Sequence, residues 1–244
     1  MSGLAPLPDS FAESRDALQR VAAHVLARRR SDVTGRIGLR ASPGGATTPA
    51  FGDGAEVVRT DGTALIVERD GWTTATCLTS LRAAAESAGV DLAGPLSLGG
   101  DAPGIGDPDA ALRVDERSAR VLADWFAFAT TALDETLVHI GPGASPSSIQ
   151  LWPEHFDVAC DAAWGAGDGQ RVNLGGSPGD AHHPEPYLYV GPWGPERPGE
   201  ASFWNAPFGA ILGYEAVRAA GGGDAPRRAA ARFLGHGLDL LTAG

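Results

Sequence analysis

Between residues 43 and 71 the chain breaks its own pattern four times, at Pro43-Gly44-Gly45, Gly52-Asp53-Gly54, Asp61-Gly62 and Asp70-Gly71. Asp-Gly suits a tight hairpin, because glycine accepts the positive φ that such a turn demands. Short apolar or β-branched runs lie between the breaks. The spacing therefore predicts an antiparallel meander with strands at 36–41, 48–51, 56–60, 64–68 and 72–75.

Helices frame this meander. Ser10 and Glu13 read as a capping box ahead of the stripe Leu18, Val21, Ala22 and Val25, and Arg28, Arg29 and Arg30 read as a solvated charge run at its end. A second helix is expected from about residue 77 to 88, stopped by Gly89. Residues 94–112, rich in Gly, Pro and Asp, read as a surface connection. A long helix at 115–135 carries Val121, Leu122, Trp125, Phe128, Ala129, Ala132 and Leu133 at helical spacing, which marks a core face rather than an aromatic ligand box.

Strands follow at 137–140, 148–152, 156–164 and 187–190, with a further one at 201–204, while 165–186 reads as loop. A short strand at 210–212, a helical turn at 214–220 and a helix capped by Asp224 close the chain. Local likeness between Ala41-Ser42-Pro43-Gly44 and Ala144-Ser145-Pro146-Ser147, and between residues 51–57 and 152–158, implies duplication. The expected fold is α+β, with antiparallel sheets covered by helices. It forms one domain of two similar helix–strands–helix halves, about 9–93 and 113–242, joined by the 94–112 linker.

Composition removes several functions. The net charge of −11 opposes sequence-independent nucleic-acid binding and docking to an anionic membrane. No lysine is present, so Schiff-base and lysine-bound pyridoxal chemistry are excluded. Cys77 and Cys160 have no metal spacing and read as buried free thiols. Neither a signal-peptide pattern nor an apolar run of membrane length is found, so a cytoplasmic protein is expected.

The motif order resembles that of a bacterial family catalogued as a domain of unknown function. The likeness rests on Ser42-Pro43-Gly44-Gly45-Ala46-Thr47-Thr48, Ala88-Gly89-Val90-Asp91, Phe156-Asp157-Val158-Ala159 and Tyr214-Glu215-Ala216-Val217-Arg218. It spans nearly the whole chain. The loop 165–186 departs from the family pattern, lacking a longer insert with a Ser-His-Glu element. The resemblance implies no activity.

Residues 152–157, Trp-Pro-Glu-His-Phe-Asp, hold the densest chemistry. Glu154, His155 and Asp157 are candidate acid–base catalysts, since a carboxylate beside an imidazole tunes it near neutral pH. The competing reading makes the segment a turn, with Phe156 and Val158 filling the core. Trp152, His183, Glu185, Tyr187, Tyr189, Trp193 and Trp204 are candidate ligand-binding residues; Tyr187, Tyr189, Trp193 and Trp204 serve equally as the edge of a core.

His182, His183 and Glu185 invite a metal reading with His155, but adjacent histidines rarely ligate one ion, so a polar loop is expected and no metal or cofactor. Serine and cysteine nucleophile signatures are absent. Two functions remain. One is a small-molecule-binding protein or cofactor-free acid–base enzyme of specialised metabolism. The other is an interaction module, homodimeric or with a partner chain, using the aromatic row.

Overall fold

The Asp70-Gly71 signal is realised literally. Both residues have positive φ, 51° and 79°, and they join β4 (Ala64–Arg69) to β5 (Trp72–Cys77) with Arg69 opposite Trp72. Ahead of them come β1 (Arg40–Ser42), β2 (Gly45–Thr47) and β3 (Val57–Asp61), giving an antiparallel sheet of order β1-β2-β3-β4-β5. The second strand forms at 45–47 rather than 48–51. A two-residue turn starts it directly at Gly45, opposite Ser42, and Pro49 beyond it has no N–H for a ladder. This computed structural model describes residues 4–100, 102–138, 145–165 and 167–243.

The first helix runs further than its sequence signals. α1 (Phe11–Val21) passes through a π-helical stretch, Ala22–Ala27, into α2 (Arg28–Thr34), which Gly35 ends at φ 69°. Ser10 makes no side-chain cap; its hydroxyl lies 3.0 Å from that of Ser118.

The arginine run is not a solvated one. Arg28 is buried and donates to the Gly94 carbonyl. Arg29 pairs bidentately with Glu56 (2.8 and 2.8 Å), which Arg69 grips from the other side (2.9 and 2.8 Å). The sequence signals missed this because Glu56 is 27 residues away from Arg29. Burial pushes the Glu56 carboxyl up, but the two guanidinium groups outweigh it and hold it below its usual range.

One stripe of the first helix also ties down residues 94–107. Arg20, His24 and Arg28, four residues apart, donate to the carbonyls of Ile105, Pro103 and Gly94. α3 (Leu81–Ala88) starts at the cap Ser80, whose hydroxyl accepts from the Ala83 amide, and ends at Gly89. Cys77 therefore belongs to β5, and its thiol is exposed rather than buried.

Residues 6–127 with 150–157 form one compact unit; residues 1–5, 128–149 and 158–244 form a second. The division falls within α4 (Glu116–Val138), whose start is fixed by Asp115 accepting from the Ser118 amide at 2.8 Å. Leu137 and Val138, expected in a strand, are still helical, and the rest of that expectation lies outside the described residues.

β6 (Ser145–Pro146), β8 (Asp157–Ala163), β9 (Arg171–Ser177), β10 (Tyr187–Pro192) and β11 (Ala210–Gly213) build the second antiparallel sheet, ordered β11-β10-β9-β8-β6. β7 (Gln150–Trp152) falls in the first unit, where Leu39 and Leu151 exchange backbone hydrogen bonds of 2.8 and 2.9 Å. α5 (Tyr214–Ala219) and α6 (Ala225–Thr242) follow; Asp224 gives α6 no side-chain cap. The 201–204 strand does not form and is a turn.

β9 corrects the reading of 165–186 as loop. Its Gly175-Gly176 pair looks like a strand breaker, yet contacts on both faces require it. A Cβ on Gly175 would meet the Tyr189 ring at 2.5 Å, and one on Gly176 the Ala129 methyl of α4 at 2.4 Å. Val172, Leu174 and Gly176 share the buried face with Val158, Cys160, Ala162, Leu188 and Val190.

Two outcomes follow. Gly176→Ala loses about 1–3 kcal/mol of stability by denaturant titration, the cost of overpacking against a helix backbone that cannot move aside. Glu56→Gln loses about 2–3 kcal/mol at neutral pH by leaving two guanidinium groups without their anion. Because the Glu56 pKa is lowered on folding, its contribution is present above the unfolded value, about 4.3, and lost as pH falls through the folded one. Wild type therefore loses stability more steeply on acidification than Glu56→Gln, and equal slopes in acid titrations of the two proteins refute the clamp's role.

Candidate functional site

The strand period divides the second sheet into a helix-covered face and an opposite, partly exposed one. The opposite face carries Ala159, Asp161 and Ala163 of β8, Arg171, Asn173, Gly175 and Ser177 of β9, and Tyr187, Tyr189 and Gly191 of β10; Ala159, Gly175, Ser177 and Tyr187 are buried, and exposure centres on Asn173. Trp193 follows β10 in the same register, its amide donating to the Arg171 carbonyl at 3.0 Å, and lies on this face. Its indole N–H donates to Asn173 Oδ1 at 2.8 Å, and the Arg171 guanidinium lies 4.0 Å from its ring centroid. Arg171 is held in turn by Asp161, with Nε to Oδ2 at 3.0 Å. Three side chains thus fix one indole that stays 48% exposed, a cation–π stack with both partners oriented.

A second aromatic group lies along the same face. Phe208, 42% exposed, meets Tyr189 edge-on at 6.2 Å and Tyr187 at 6.4 Å. Tyr189 lies over Gly175, so the glycine floor lets the ring sit flat against the sheet. Tyr187 is buried, and its hydroxyl donates to Asp180 Oδ2 at 2.5 Å. Asp180 also accepts from the amides of His182 and His183 (2.7 and 2.8 Å). Burial raises the Asp180 pKa, but the Tyr187 hydroxyl and these two amides outweigh it and leave a stable carboxylate that shapes the loop. His183 stacks edge-on to Tyr187 at 5.2 Å. Tyr187 and His183 support this aromatic platform, while Tyr189 and Phe208 form it.

The other expected ligand residues are elsewhere. Trp204 donates to the Pro198 carbonyl at 2.8 Å and packs on Phe203, which rests on Phe233 and His236 of α6. Glu185 and His182 are exposed. Trp152 is half-buried in the other unit. Among the described residues no group of three or more His, Cys, Asp or Glu gathers as a metal site would require. Arg171, Asn173, Asp161 and Phe208 were missed. The signal that could have found the first two is the alternation Val172-x-Leu174 within the glycine-rich stretch.

At the 152–157 corner the backbone governs. Phe156 has φ 56°, its amide donates to the Trp152 carbonyl at 2.7 Å, and its buried ring meets Phe126 edge-on at 5.2 Å. Glu154 is half-buried and anchored through its main-chain carbonyl to Gln19 at 2.9 Å; His155 is exposed; Asp157 is buried. The three groups lie at three depths. At the matching position of the first corner Ala55 has φ 52°, and the next residue, Glu56, is again a buried acid.

Two clefts, of 640 Å³ along α6 past Phe233 and His236 and of 350 Å³ between α3 and residues 91–108, include none of the expected site residues. No family model, curated protein sequence or solved structure matches the chain.

Burial pushes the Cys160 thiol up to about 12, whereas Cys77 is exposed. A chromogenic disulfide reagent at mildly alkaline pH accordingly titrates one thiol in the native protein and two after denaturation. Two fast native thiols contradict the buried placement of β8.

Proposed function

We propose that the protein is a non-catalytic interaction module in which the face of the second sheet opposite its helices receives an apolar or aromatic segment of a partner protein. The observation that carries this reading is the indole of Trp193, half-exposed yet held by Asn173 and Arg171. Trp, Tyr and Arg in fixed rotamers are the residue types that dominate binding energy at protein interfaces, because little side-chain entropy remains to be lost. The indole stands out on the surface and lines none of the clefts described above, which favours a partner chain over a small molecule that needs most of its area enclosed. Acid–base catalysis by Glu154, His155 and Asp157 draws less support, since exposed His155 and buried Asp157 differ in solvent access.

The test compares wild type with Trp193→Ala, both purified from the source cells under native conditions and weighed intact by mass spectrometry. A protein-sized companion that is lost with Trp193→Ala and rebinds the purified wild type, with affinity falling at least about tenfold in the variant, is the expected result. A bound species of a few hundred daltons, lost in the same variant, replaces the reading with small-molecule binding. Equal companions on both proteins remove the aromatic face from consideration.

A further inference from the structure

A sheet edge left open is a template for another strand, and folded proteins close theirs with charges, prolines, bulges or covering segments. Among the described residues, the outer strands β1, β11 and β6 are closed. At β1, Leu39 just before the strand is bridged to Leu151. At β11 the Asn205 side chain serves both backbone groups of Ile211, accepting from its N–H at 2.8 Å and donating to its carbonyl at 3.1 Å. β6 is only two residues long and ends in Pro146.

β5 is different. Its sequence, Trp72-Thr73-Thr74-Ala75-Thr76-Cys77, has no charge, proline or glycine, and Trp72 is 79% exposed. Five of its six residues are exposed and Thr76 is half-buried. The two-residue turn at Asp70-Gly71 makes Arg69 and Trp72 a hydrogen-bonded pair, and the bond from the Leu78 amide to the Thr63 carbonyl (2.9 Å) continues the same alternation. The amides of Thr73, Ala75 and Cys77 therefore face outward. Of their carbonyls, that of Cys77 turns to the Thr79 amide at 2.9 Å.

We infer that β5 is a self-association edge, pairing antiparallel with β5 of a second copy about a two-fold axis through Ala75. That register sets Ala75 opposite Ala75 of the other copy, Thr73 opposite Cys77, and Thr74 opposite Thr76. It brings all three outward-facing residues into the ladder. A second copy fits where an arbitrary peptide has no special claim. In a chain of net charge −11, β5 is a six-residue surface run on which two copies meet with no like charges opposed. Trp72 shares the helix-side face of the sheet with Thr74 and Thr76, so the pairing carries each indole towards Leu78 of the other copy and covers it. The contact closes at two copies, because each contributes one such edge. A six-residue strand with one tryptophan buries less than the ~800 Å² per partner of a standard interface, so the association is micromolar rather than tight. It is independent of the Trp193 face.

The experiment is sedimentation of the full chain, kept reduced, from about 10 to 500 µM. A reversible monomer–dimer equilibrium is expected. Ala75→Lys and Ala75→Glu, at an exposed position, each oppose like charges across the axis and weaken the dimer at least about tenfold. An equimolar mixture of the two variants restores it, while Trp193→Ala dimerises as wild type does. A chain monomeric throughout the range, variants that dimerise normally, or a mixture that stays monomeric each overturns the inference.

Discussion

The second sheet depends on the absence of two β-carbons. Gly175 and Gly176 stand at the centre of β9, flanked by β8 and β10, and each lets something approach that no other residue would admit: the Tyr189 ring on one face and α4 on the other. Glycine within a strand costs about 0.5–1 kcal/mol in backbone entropy. Here it is repaid by close helix-on-sheet packing and by an aromatic ring laid flat. The same two residues thus set how closely the sheet packs on its helix and shape the platform opposite.

Charge organises the first unit as glycine organises the second. With lysine absent, every side-chain cation at neutral pH is a guanidinium, and the first helix uses four of them, with His24, as fasteners. Arg20, His24 and Arg28 hold the backbone carbonyls of residues 94–107, Arg30 holds that of Gly38, and Arg29 shares Glu56 with Arg69 of β4. A stretch without regular secondary structure is thereby fixed by three side chains on one helical stripe. Burial lowers the His24 pKa, and Arg28 and Arg20 add to that, so the imidazole between them serves as a neutral donor rather than a third cation.

Local signals read well where the physics is local. Turns at Asp70-Gly71 and Gly89, the cap at Ser80, the apolar stripe of α4 and the α+β class were all legible. Failures arose where a distant partner decides. Ser10 turned to Ser118, Arg29 to Glu56, and Gly175-Gly176 answered neighbours on two other elements. The candidate site suffered most for this reason. Missing β9 removed Arg171 and Asn173, the two groups that convert Trp193 from an exposed aromatic into an oriented one. Trp204, close to Phe208 in sequence, went instead to α6 because its turn, not its residue type, chooses the side.

The 152–157 corner shows how a dense polar cluster can arise from backbone demands alone. An aromatic residue in the left-handed region costs about 1–3 kcal/mol, and Phe156 recovers it through full burial against Phe126. Ala55 adopts the same conformation one residue before Glu56, so both corners use one device: a left-handed residue, then a buried acid that leads into a strand. At the first corner the acid's task is visible, since Glu56 fastens α2 to β4 through two arginines. The buried acid at each corner stands in the same place relative to a left-handed residue and the strand that follows. Glu154 and His155 are then the residues that span the turn, with Glu154 used through its main-chain carbonyl, and the chemistry worth pursuing lies on the sheet beyond.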